Sequence, residues 1–251
     1  MLRMEDTVMQ VCLLAGEMML KSGAETYRVE DTMTHIAQAA GMGSVHSSVT
    51  TTSIILSYCA AGKDYTRMIR VPSRTIDLNK VTLVNEVSRQ YVSGKISLND
   101  AYNHLQMIDQ KKPQYPSWLQ NLAAGLASGS FAVLLGGTFF DFIPTVLAGL
   151  FVNIAVSHIE QLLAVKFFAE FLAAFLGGLF IIFVFYLMPT LHLDLMLIGT
   201  MLPLFPGVAV TNSLRDLIAG DLVAGVSRGV EAVLTALSVA VAAAILLSLT
   251  M

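Results

Sequence analysis

The sequence predicts a membrane protein with a small cytoplasmic α+β domain, followed by a five-span α-helical transmembrane bundle with a Pro/Gly-broken fourth span. Three observations support this class. Hydrophobic residues make up 55% of the 251 residues and charged residues only 13%, against roughly 25% charged residues in an average soluble domain. Residues 1–112 contain 12 of the 15 Lys and Arg and 11 of the 18 Asp and Glu. The rest of the chain is divided into five long apolar segments.

This asymmetry predicts two domains joined by a short linker. Residues 1–112 form the predicted cytoplasmic α+β domain, 113–117 the linker, and 118–251 the transmembrane domain. The junction reads KKPQYPSW, and its two prolines are expected to end the preceding helix because proline lacks an N–H donor and restricts the residue before it.

The polar half predicts helices around a hairpin. Apolar residues at helical spacing predict a helix over 3–21, and a second helix is predicted over 24–40, with Gly41 after it. The stretch SVHSSVTTTSIILSYC is rich in strand-forming residues and is followed by a turn and YTRMIRV, which predicts a two-stranded hairpin. Asp77 is expected to cap a third helix. The S-x-x-D pattern of Ser97–Asp100 predicts a capping box for a fourth.

The apolar half predicts five membrane spans, each near the ~20 residues that cross a bilayer. They cover residues 118–140, 142–159, 167–188, 195–214 and 229–249. The basic residues that flank them all fall on one side: Lys111, Lys112, Lys166, Arg215 and Arg228. The positive-inside rule therefore predicts a cytoplasmic N-terminal domain and a C-terminus outside the cell.

The fourth span contains a helix-breaking sequence, MLPLFPGVAVTN. Pro203 and Pro206 interrupt the backbone hydrogen bonding, and Gly207 permits a change of direction. Freed backbone groups are tolerated at membrane depth only where they are buried in protein or line a cavity. A helix that restarts at Gly207 would present N–H groups to an anion, with Thr211 and Asn212 one turn later. The alternative interpretation is a packing kink.

Five charges follow the break: Arg215, Asp216, Asp221, Arg228 and Glu231. Arginine can hold a carboxylate by paired hydrogen bonds, so Arg215 and Arg228 are candidate solute-binding residues. Glu231 lies at the start of an apolar helix, where a carboxylate is costly and by default functional, and with Asp216 and Asp221 it is a candidate proton-coupling residue. Arg228 and Glu231 are spaced to pair on a helix. Interface anchoring, or helix capping by Asp221, remains the alternative.

Other polar residues carry weaker predictions. Asn153, His158 and Glu160 lie at the end of the second span and are secondary candidates, since a cytoplasmic mouth can simply be hydrated. Glu170 is predicted to pair with Lys166, one helical turn away.

A charged cluster on the second helix consists of Glu25, Arg28, Glu30, Asp31 and His35. We interpret it as a solvated helix face with local ion pairs, with a ligand site as the alternative. The sequence contains no Ser-His-Asp, H-E-x-x-H, P-loop or paired-cysteine signature. We therefore expect no catalytic residue, no metal and no cofactor. The net charge of −3 gives no indication of nucleic-acid binding.

Three segments resemble the N-terminal, larger half of the threonine/serine exporter family: LLAGEMMLKSGAETYRVEDTM, SSVTTTSIILSY and PLFPGVAVTNSLRDLIAGDLVAGVSRGVEA. The resemblance extends over essentially the whole chain. It implies a subunit of a proton-driven secondary transporter, an antiporter in a bacterial inner membrane. The expected solutes are small carboxylated metabolites, either threonine- and serine-type amino acids or dicarboxylates such as succinate.

The resemblance also has implications for partners and residues. A chain with five spans resembles the split members, which work with a small separate membrane subunit, and we expect an oligomer in the lipid bilayer. The residues that match the motif are Pro206, Gly207, Asn212, Arg215, Asp216, Asp221, Arg228 and Glu231. The alternative functions are a membrane-anchored sensor or scaffold, or an enzyme whose activity lies in the cytoplasmic domain.

Overall fold

The computed structural model describes residues 4–72, 74–111, 114–163 and 165–250. The chain divides into two compact units. The first unit contains Met1–Gln114 and Val208–Gly229, and the second contains Tyr115–Gly207 and Val230–Met251. The predicted helix start at residue 3, and Lys112 and Pro113 of the predicted junction, lie outside the described residues.

The elements of the described residues are mostly helical. They are α1 (Met4–Lys21), α2 (Thr26–Ala39), β1 (Gly43–Val49), β2 (Ser53–Ala60), β3 (Lys63–Arg70), α3 (Leu78–Val92), α4 (Leu98–Asp109), α5 (Ser117–Leu134), α6 (Phe139–Leu163), α7 (Lys166–Leu187), α8 (Leu193–Met201), a 3-10 turn (Leu202–Leu204), α9 (Gly207–Ala219) and α10 (Leu222–Ser248).

In the first unit, α1 is the central helix of the core. Its buried face includes Val8, Cys12 and Met19, which belong to one apolar cluster with side chains of α2 and of the sheet. A Cβ at Gly16 would lie 2.5 Å from the sulfur of Met33, so the absence of a side chain there lets α1 and α2 approach closely. Gly23 has a φ of +87°, and this left-handed residue reverses the chain between the two helices.

The sheet has one strand more than the predicted hairpin. It is antiparallel with the order β1-β2-β3, because the Thr-rich stretch contains a turn within what the composition predicts as one strand. The hydroxyl of Thr50 accepts hydrogen bonds from the backbone N–H groups of Thr52 and Ser53. Threonine hydroxyls stabilise turns in this way, and composition alone does not distinguish such a threonine from one within a strand.

The helix starts of α3 and α4 follow the predicted capping. Asp77 accepts a hydrogen bond from the N–H of Lys80 at 3.0 Å, and Ser97 and Asp100 form a complete capping box. These contacts satisfy N–H groups that a helix leaves without partners at its first turn.

The second unit depends on small residues for close helix packing. A Cβ at Gly125 would lie 2.6 Å from the carbonyl oxygen of Val146, and one at Gly149 would lie 2.1 Å from the hydroxyl of Ser128. Between α7 and α10, a Cβ at Gly178 would lie 2.2 Å from Leu246. The small-residue runs in the sequence are therefore helix contacts, as is common in membrane bundles.

Length and apolarity identify three described helices that can cross a membrane: α6, α7 and α10. The helical segments Leu193–Leu204 and Gly207–Ala219 count as a fourth if they form one span, with a bend of 59° at the break. Helix α5, which covers most of the first predicted span, does not meet the same criterion. A multi-pass helical membrane protein is confirmed, and the fifth span stays a prediction.

A buried carboxylate joins two loops of the second unit. Asp141 lies in the first turn of α6, where both the N–H and the hydroxyl of Thr138 donate to Oδ2, at 2.6 and 2.7 Å. The N–H and the Nδ1 atom of His192, in the loop before α8, lie within 2.8 and 2.9 Å of its two oxygens. Both oxygens of this fully buried side chain therefore have partners.

Candidate functional site

The break in the fourth predicted span lies between the 3-10 turn and α9. Phe205 has extended backbone angles there, and the N–H of Gly207 bonds to its carbonyl oxygen. The predicted solute-binding residues Pro206 and Gly207 are half-buried, and Thr211 is exposed. The sequence therefore places the helix break correctly.

Three of the five charged residues after the break, Arg215, Asp216 and Arg228, contact one turn of the α+β region within the first unit. This turn, residues 23–26, joins α1 to α2 and is called the α1–α2 turn below. Asn212 donates a hydrogen bond from its amide to the carbonyl oxygen of Gly23 at 2.8 Å. Asp216 is fully buried and accepts a hydrogen bond from the N–H of Thr26 at 3.0 Å. This N–H lies at the start of α2, where a carboxylate is stabilised by the helix dipole.

Arg228 completes this contact from α10. Its guanidinium is 5% exposed and donates to the carbonyl oxygen of Ala24 at 2.8 Å. Its Nε atom lies 3.2 Å from Oδ2 of Asp216. This is a close ion pair without the alignment of a hydrogen bond. A buried charge is tolerated when it is paired and hydrogen-bonded, so Asp216 and Arg228 stabilise each other.

Glu25 is the residue of this site that sequence reasoning missed. It is only 4% exposed and forms ion pairs with Arg215 of α9 and with Arg28 one turn further along α2. Burial acts to raise the pKa of Glu25, but hydrogen bonds from its own backbone and from the two arginines outweigh burial and hold the pKa below its usual value. The interpretation of this helix face as solvated is wrong for Glu25. Its signal was its position two residues after the helix-reversing Gly23, inside a segment that carried the family resemblance.

Glu30 and Asp221 are two further carboxylates near this network, and their surroundings stabilise the ionised form less well. Glu30 accepts a hydrogen bond from the N–H of Val49 at 2.7 Å. Burial raises the pKa of Glu30 despite that bond, and nearby Asp221, Asp31 and Asp216 raise it further. Burial and Asp216 likewise raise the pKa of Asp221. The predicted proton-coupling residue Asp221 therefore lies in an environment that favours proton binding.

Glu231 belongs to the second unit and has a different partner. Its carboxylate lies 2.9 Å from the ammonium of Lys166, at the start of α7. One turn further along both helices, the hydroxyl of Thr235 donates to Glu170 at 3.3 Å. Lys166 thus pairs with Glu231, and the predicted Lys166–Glu170 ion pair is replaced by a Glu170–Thr235 hydrogen bond.

The secondary candidates lie apart from these contacts. Asn153 donates to the side chain of Asn121 at 2.8 Å and so joins α6 to α5. His158 lies within hydrogen-bond distance of the carbonyl oxygen of Ile154 on its own helix, and Glu160 is exposed. These contacts of Asn153 and His158 lie within the second unit.

A polar cleft of about 430 Å³ lies between α2 and α3. It is lined by Arg28, Asp31, Thr32, His35, Asn85, Ser88, Arg89, Val92 and Ser93. Arg28 also bonds to Glu25 and so connects the cleft to the α1–α2 turn.

These features define a multi-pass helical membrane protein whose interrupted apolar helix leads into a buried charge network, an arrangement found in transporters. The model of the threonine/serine exporter family, ThrE, matches residues 10–250. The chain belongs to this family, as its sequence resemblance predicts.

The relatives bear related names. The chain is 26% identical over 257 residues to the "Probable succinate transporter subunit YjjP" of Klebsiella aerogenes, covering 98% of this chain and 95% of the relative. The protein of the same name from Escherichia coli is 27% identical, covering 94% and 92%. The "Probable threonine/serine exporter" of Mycobacterium tuberculosis is 31% identical over 52% of this chain and 25% of its own length. No solved structure matches the chain.

Proposed function

We propose that this chain is the larger subunit of a secondary transporter that exports small carboxylated metabolites in exchange for protons. The solutes are threonine- and serine-type amino acids or dicarboxylates such as succinate. The chain works with a small membrane subunit of the same family in a bacterial inner membrane, with the α+β region in the cytoplasm. Two relatives named as succinate transporter subunits and one named as a threonine/serine exporter support this proposal.

One observation carries the proposal: the helix that follows the break carries charged residues, of which Asp216 is buried and paired with the buried Arg228 of α10. Charged groups in such segments are expensive and are retained where they bind a solute or an ion. Arg215, Asp216 and Arg228 form contacts with the α1–α2 turn. The contacts of these residues with the α1–α2 turn therefore depend on charge, and a charged solute can compete with the side chains that form them.

Arg215 is the best placed residue to bind the solute. Its side chain is 56% exposed, whereas Arg228 is buried and fully engaged with Asp216 and Ala24. Glu25 is the carboxylate that Arg215 now binds, through one hydrogen bond. A solute carboxylate can replace it, since arginine can hold a carboxylate by two parallel hydrogen bonds. Solute binding then releases Glu25 from α9, which links solute occupancy to the contact between α9 and α2.

The other predicted residues have supporting roles in this proposal. The first turn of α9, which follows the break at Pro206 and Gly207, offers N–H groups to the solute, with Thr211 and Asn212 beside it. Asp216 and Arg228 hold the segment on the α1–α2 turn. Asp221 is a proton acceptor on the cytoplasmic side, since its environment already favours the protonated form.

Transport by purified protein in proteoliposomes tests this function. The chain is reconstituted alone and with its small membrane partner, and the export of labelled threonine, serine and succinate is measured across a pH gradient. Transport only with the partner supports a two-subunit exporter and identifies its solute class. Absence of transport for all three solutes, with both subunits folded, would refute the proposed function.

Two variants test the role of Arg215 within the same assay. Arg215→Gln is expected to raise the KM for export at least tenfold, because a bidentate contact to the solute carboxylate is lost. Glu25→Gln is expected to lower the KM, because the competing carboxylate is removed. An unchanged KM in both variants would show that Arg215 does not bind the solute.

A second candidate function is ligand sensing by the α+β region, and the cleft between α2 and α3 favours it. Two arginines, one carboxylate (Asp31) and several hydrogen-bonding side chains line this cleft, a composition suited to a small polar ligand that carries an anionic group. Calorimetric titration of the full chain with succinate and with inorganic phosphate tests it. Binding that is lost in Arg89→Gln would support a sensor function, and no binding would leave only the transport function.

A further inference from the structure

Glu170 is a buried carboxylate that the network around the α1–α2 turn does not use. It lies on α7, one of the helices long and apolar enough to cross a membrane, and is only 6% exposed. Its Oε1 atom accepts a hydrogen bond from Thr235 at 3.3 Å. Its Oε2 atom is buried and has no hydrogen-bond partner among the described residues. An ionised carboxylate normally requires partners for both oxygens when it is removed from water.

The surroundings of Glu170 are two helices that run in the same direction. Lys166 and Glu170 are one turn apart on α7, and Glu231 and Thr235 are one turn apart on α10. Lys166 contacts Glu231, and Glu170 contacts Thr235. This arrangement puts Glu170 about 6 Å further along the helix than the ion pair. The ion pair is partly exposed and Glu170 is not.

The charged groups that act on Glu170 come from three helices. They are Lys166 on its own helix, Glu160 on α6 and Glu231 on α10. The one cation among them is bonded to Glu231 in this structure. Glu170 therefore has no counter-ion in direct contact among the described residues, and the distribution of charge around it depends on whether Lys166 stays with Glu231.

We propose that Glu170 binds and releases the proton that is exchanged for the exported solute, and that the Lys166–Glu231 ion pair controls access to it. The inference rests on the export function proposed above. Proton uptake forms an O–H bond at Oε2, with hydronium as the donor and water left behind, and changes the side-chain charge from −1 to 0. Release to water reverses this step. Opening of the ion pair would let water reach Oε2 and bring Lys166 within reach of the ionised carboxylate.

The proposal assigns the coupling role to Glu170 and a gating role to Glu231. Sequence reasoning named Glu231, Asp216 and Asp221 as proton-coupling candidates and predicted only an ion pair with Lys166 for Glu170. The structure favours Glu170 over Glu231 because Glu231 is balanced by a cation, whereas Glu170 has a neutral partner on one oxygen only.

Two transport measurements on the reconstituted two-subunit protein test this inference. Net export driven by a pH gradient requires proton binding and release, whereas exchange of internal for external solute at equal pH does not. Glu170→Gln is expected to lower gradient-driven export at least tenfold and to keep exchange within about twofold of the parent protein. Glu170→Asp, which retains a carboxyl group, is expected to recover part of the gradient-driven export.

Matched variants separate Glu170 from its neighbours. Glu86→Gln changes an exposed residue of α3 and is expected to leave both transport activities unchanged. Glu231→Gln is expected to keep gradient-driven export, with an altered dependence on pH. A Glu170→Gln protein with normal gradient-driven export would overturn the proposal, as would loss of that export in Glu231→Gln alone.

Infrared spectroscopy tests the same residue without transport. Spectra of the purified full chain are recorded over a range of pH. The parent protein and Glu86→Gln are expected to show one band of a protonated carboxyl group that Glu170→Gln lacks. If parent protein and Glu170→Gln give the same spectra, Glu170 does not titrate and the inference fails. If Glu170 titrates but the parent protein transports none of the solutes, the proposed export function fails instead.

Discussion

Two buried carboxylates of the second unit, Asp141 and Glu170, differ in how completely their oxygens are bonded. Asp141 contacts Thr138 and His192 through four polar atoms that serve both of its oxygens. Glu170 has one bonded oxygen, at 3.3 Å from Thr235, and one oxygen without a hydrogen-bond partner among the described residues. Burial alone therefore does not separate a structural carboxylate from a functional one.

The comparison teaches that the number of donors aimed at a carboxylate indicates its role. Fixed donors stabilise the ionised form and specify one geometry, and removal of the carboxylate leaves those donors without partners. An oxygen that lacks donors leaves the side chain free to gain and lose a proton. We therefore expect large stability losses where both oxygens of a buried carboxylate are held by hydrogen-bond donors or by a buried cation, as in Asp141 and Asp216, and a small loss for Glu170.

The largest loss is expected for Asp216→Asn in the first unit. The change leaves the buried Arg228 without its counter-ion, and removal of one partner of a buried ion pair typically costs about 3–5 kcal/mol. Hydrogen–deuterium exchange of the full chain in detergent measures it, as faster exchange in α1, α2 and α9. Asp31→Asn, on an exposed position of α2, is the control, and equal exchange in both variants would contradict the prediction.

Asp141→Asn is expected to follow, with a loss of about 2–4 kcal/mol. An asparagine directs an NH2 group at one set of donors, so hydrogen-bonding groups of Thr138 and His192 that face the buried side chain lose their acceptor. Thermal unfolding of the detergent-solubilised chain measures the effect. Asp194→Asn, an exposed carboxylate at the start of α8, should change the midpoint little. A similar shift in both variants would indicate a general charge effect rather than loss of the bonded cluster.

Glu25→Gln is expected to cost about 1 kcal/mol or less at pH 7, because its arginine partners are partly exposed. The loss depends on pH with a defined sign. The pKa of Glu25 is lowered by its bonds, so its stabilisation is present above the ordinary value of 4.5 and disappears as pH falls through the folded-state pKa. Exchange rates of α2 in parent and variant should therefore converge in acid. A constant difference at all pH values would exclude charge as the cause.

The smallest change is expected for Glu170→Gln, within about 1 kcal/mol of the parent protein in thermal unfolding. A neutral amide can keep the bond to Thr235, and removal of an incompletely bonded charge from an apolar helix avoids a desolvation cost. The contrast with Asp141→Asn is the sharpest test of the comparison. If Glu170→Gln destabilises the protein as much as Asp141→Asn, the count of bonded oxygens does not report the role.

Local features of the fold follow from the sequence, and long-range contacts do not. The capping box at Ser97 and Asp100, the cap at Asp77 and the glycine after α1 depend on residues within one or two turns, so short patterns predict them. The third strand was missed because a Thr50 turn and a Thr-rich strand have the same composition. Whether this stretch turns or continues as one strand depends on the hydrogen bonds of Thr50, which the composition does not specify.

The candidate site was predictable in its residues but not in its partners. The motif identified Asn212, Asp216 and Arg228, and their apolar surroundings indicated unusual charges. Their contacts, however, lie about 190 or more positions away in sequence, in the α1–α2 turn. No periodicity or local spacing connects segments so distant, and helix-surface patterns favoured a pairing of Arg228 with Glu231.

The contacts between α9–α10 and the α1–α2 turn go mainly to peptide groups: the carbonyl oxygens of Gly23 and Ala24 and the N–H of Thr26. An alanine scan along residues 23–26 would leave all three of these atoms in place and so would not report these backbone contacts. A main-chain amide-to-ester replacement at Thr26, introduced by semisynthesis, removes the single N–H donor without altering any side chain. A screen of side-chain substitutions therefore cannot detect the peptide groups of the α1–α2 turn that take part in these contacts, whereas chemical replacement of a backbone amide can.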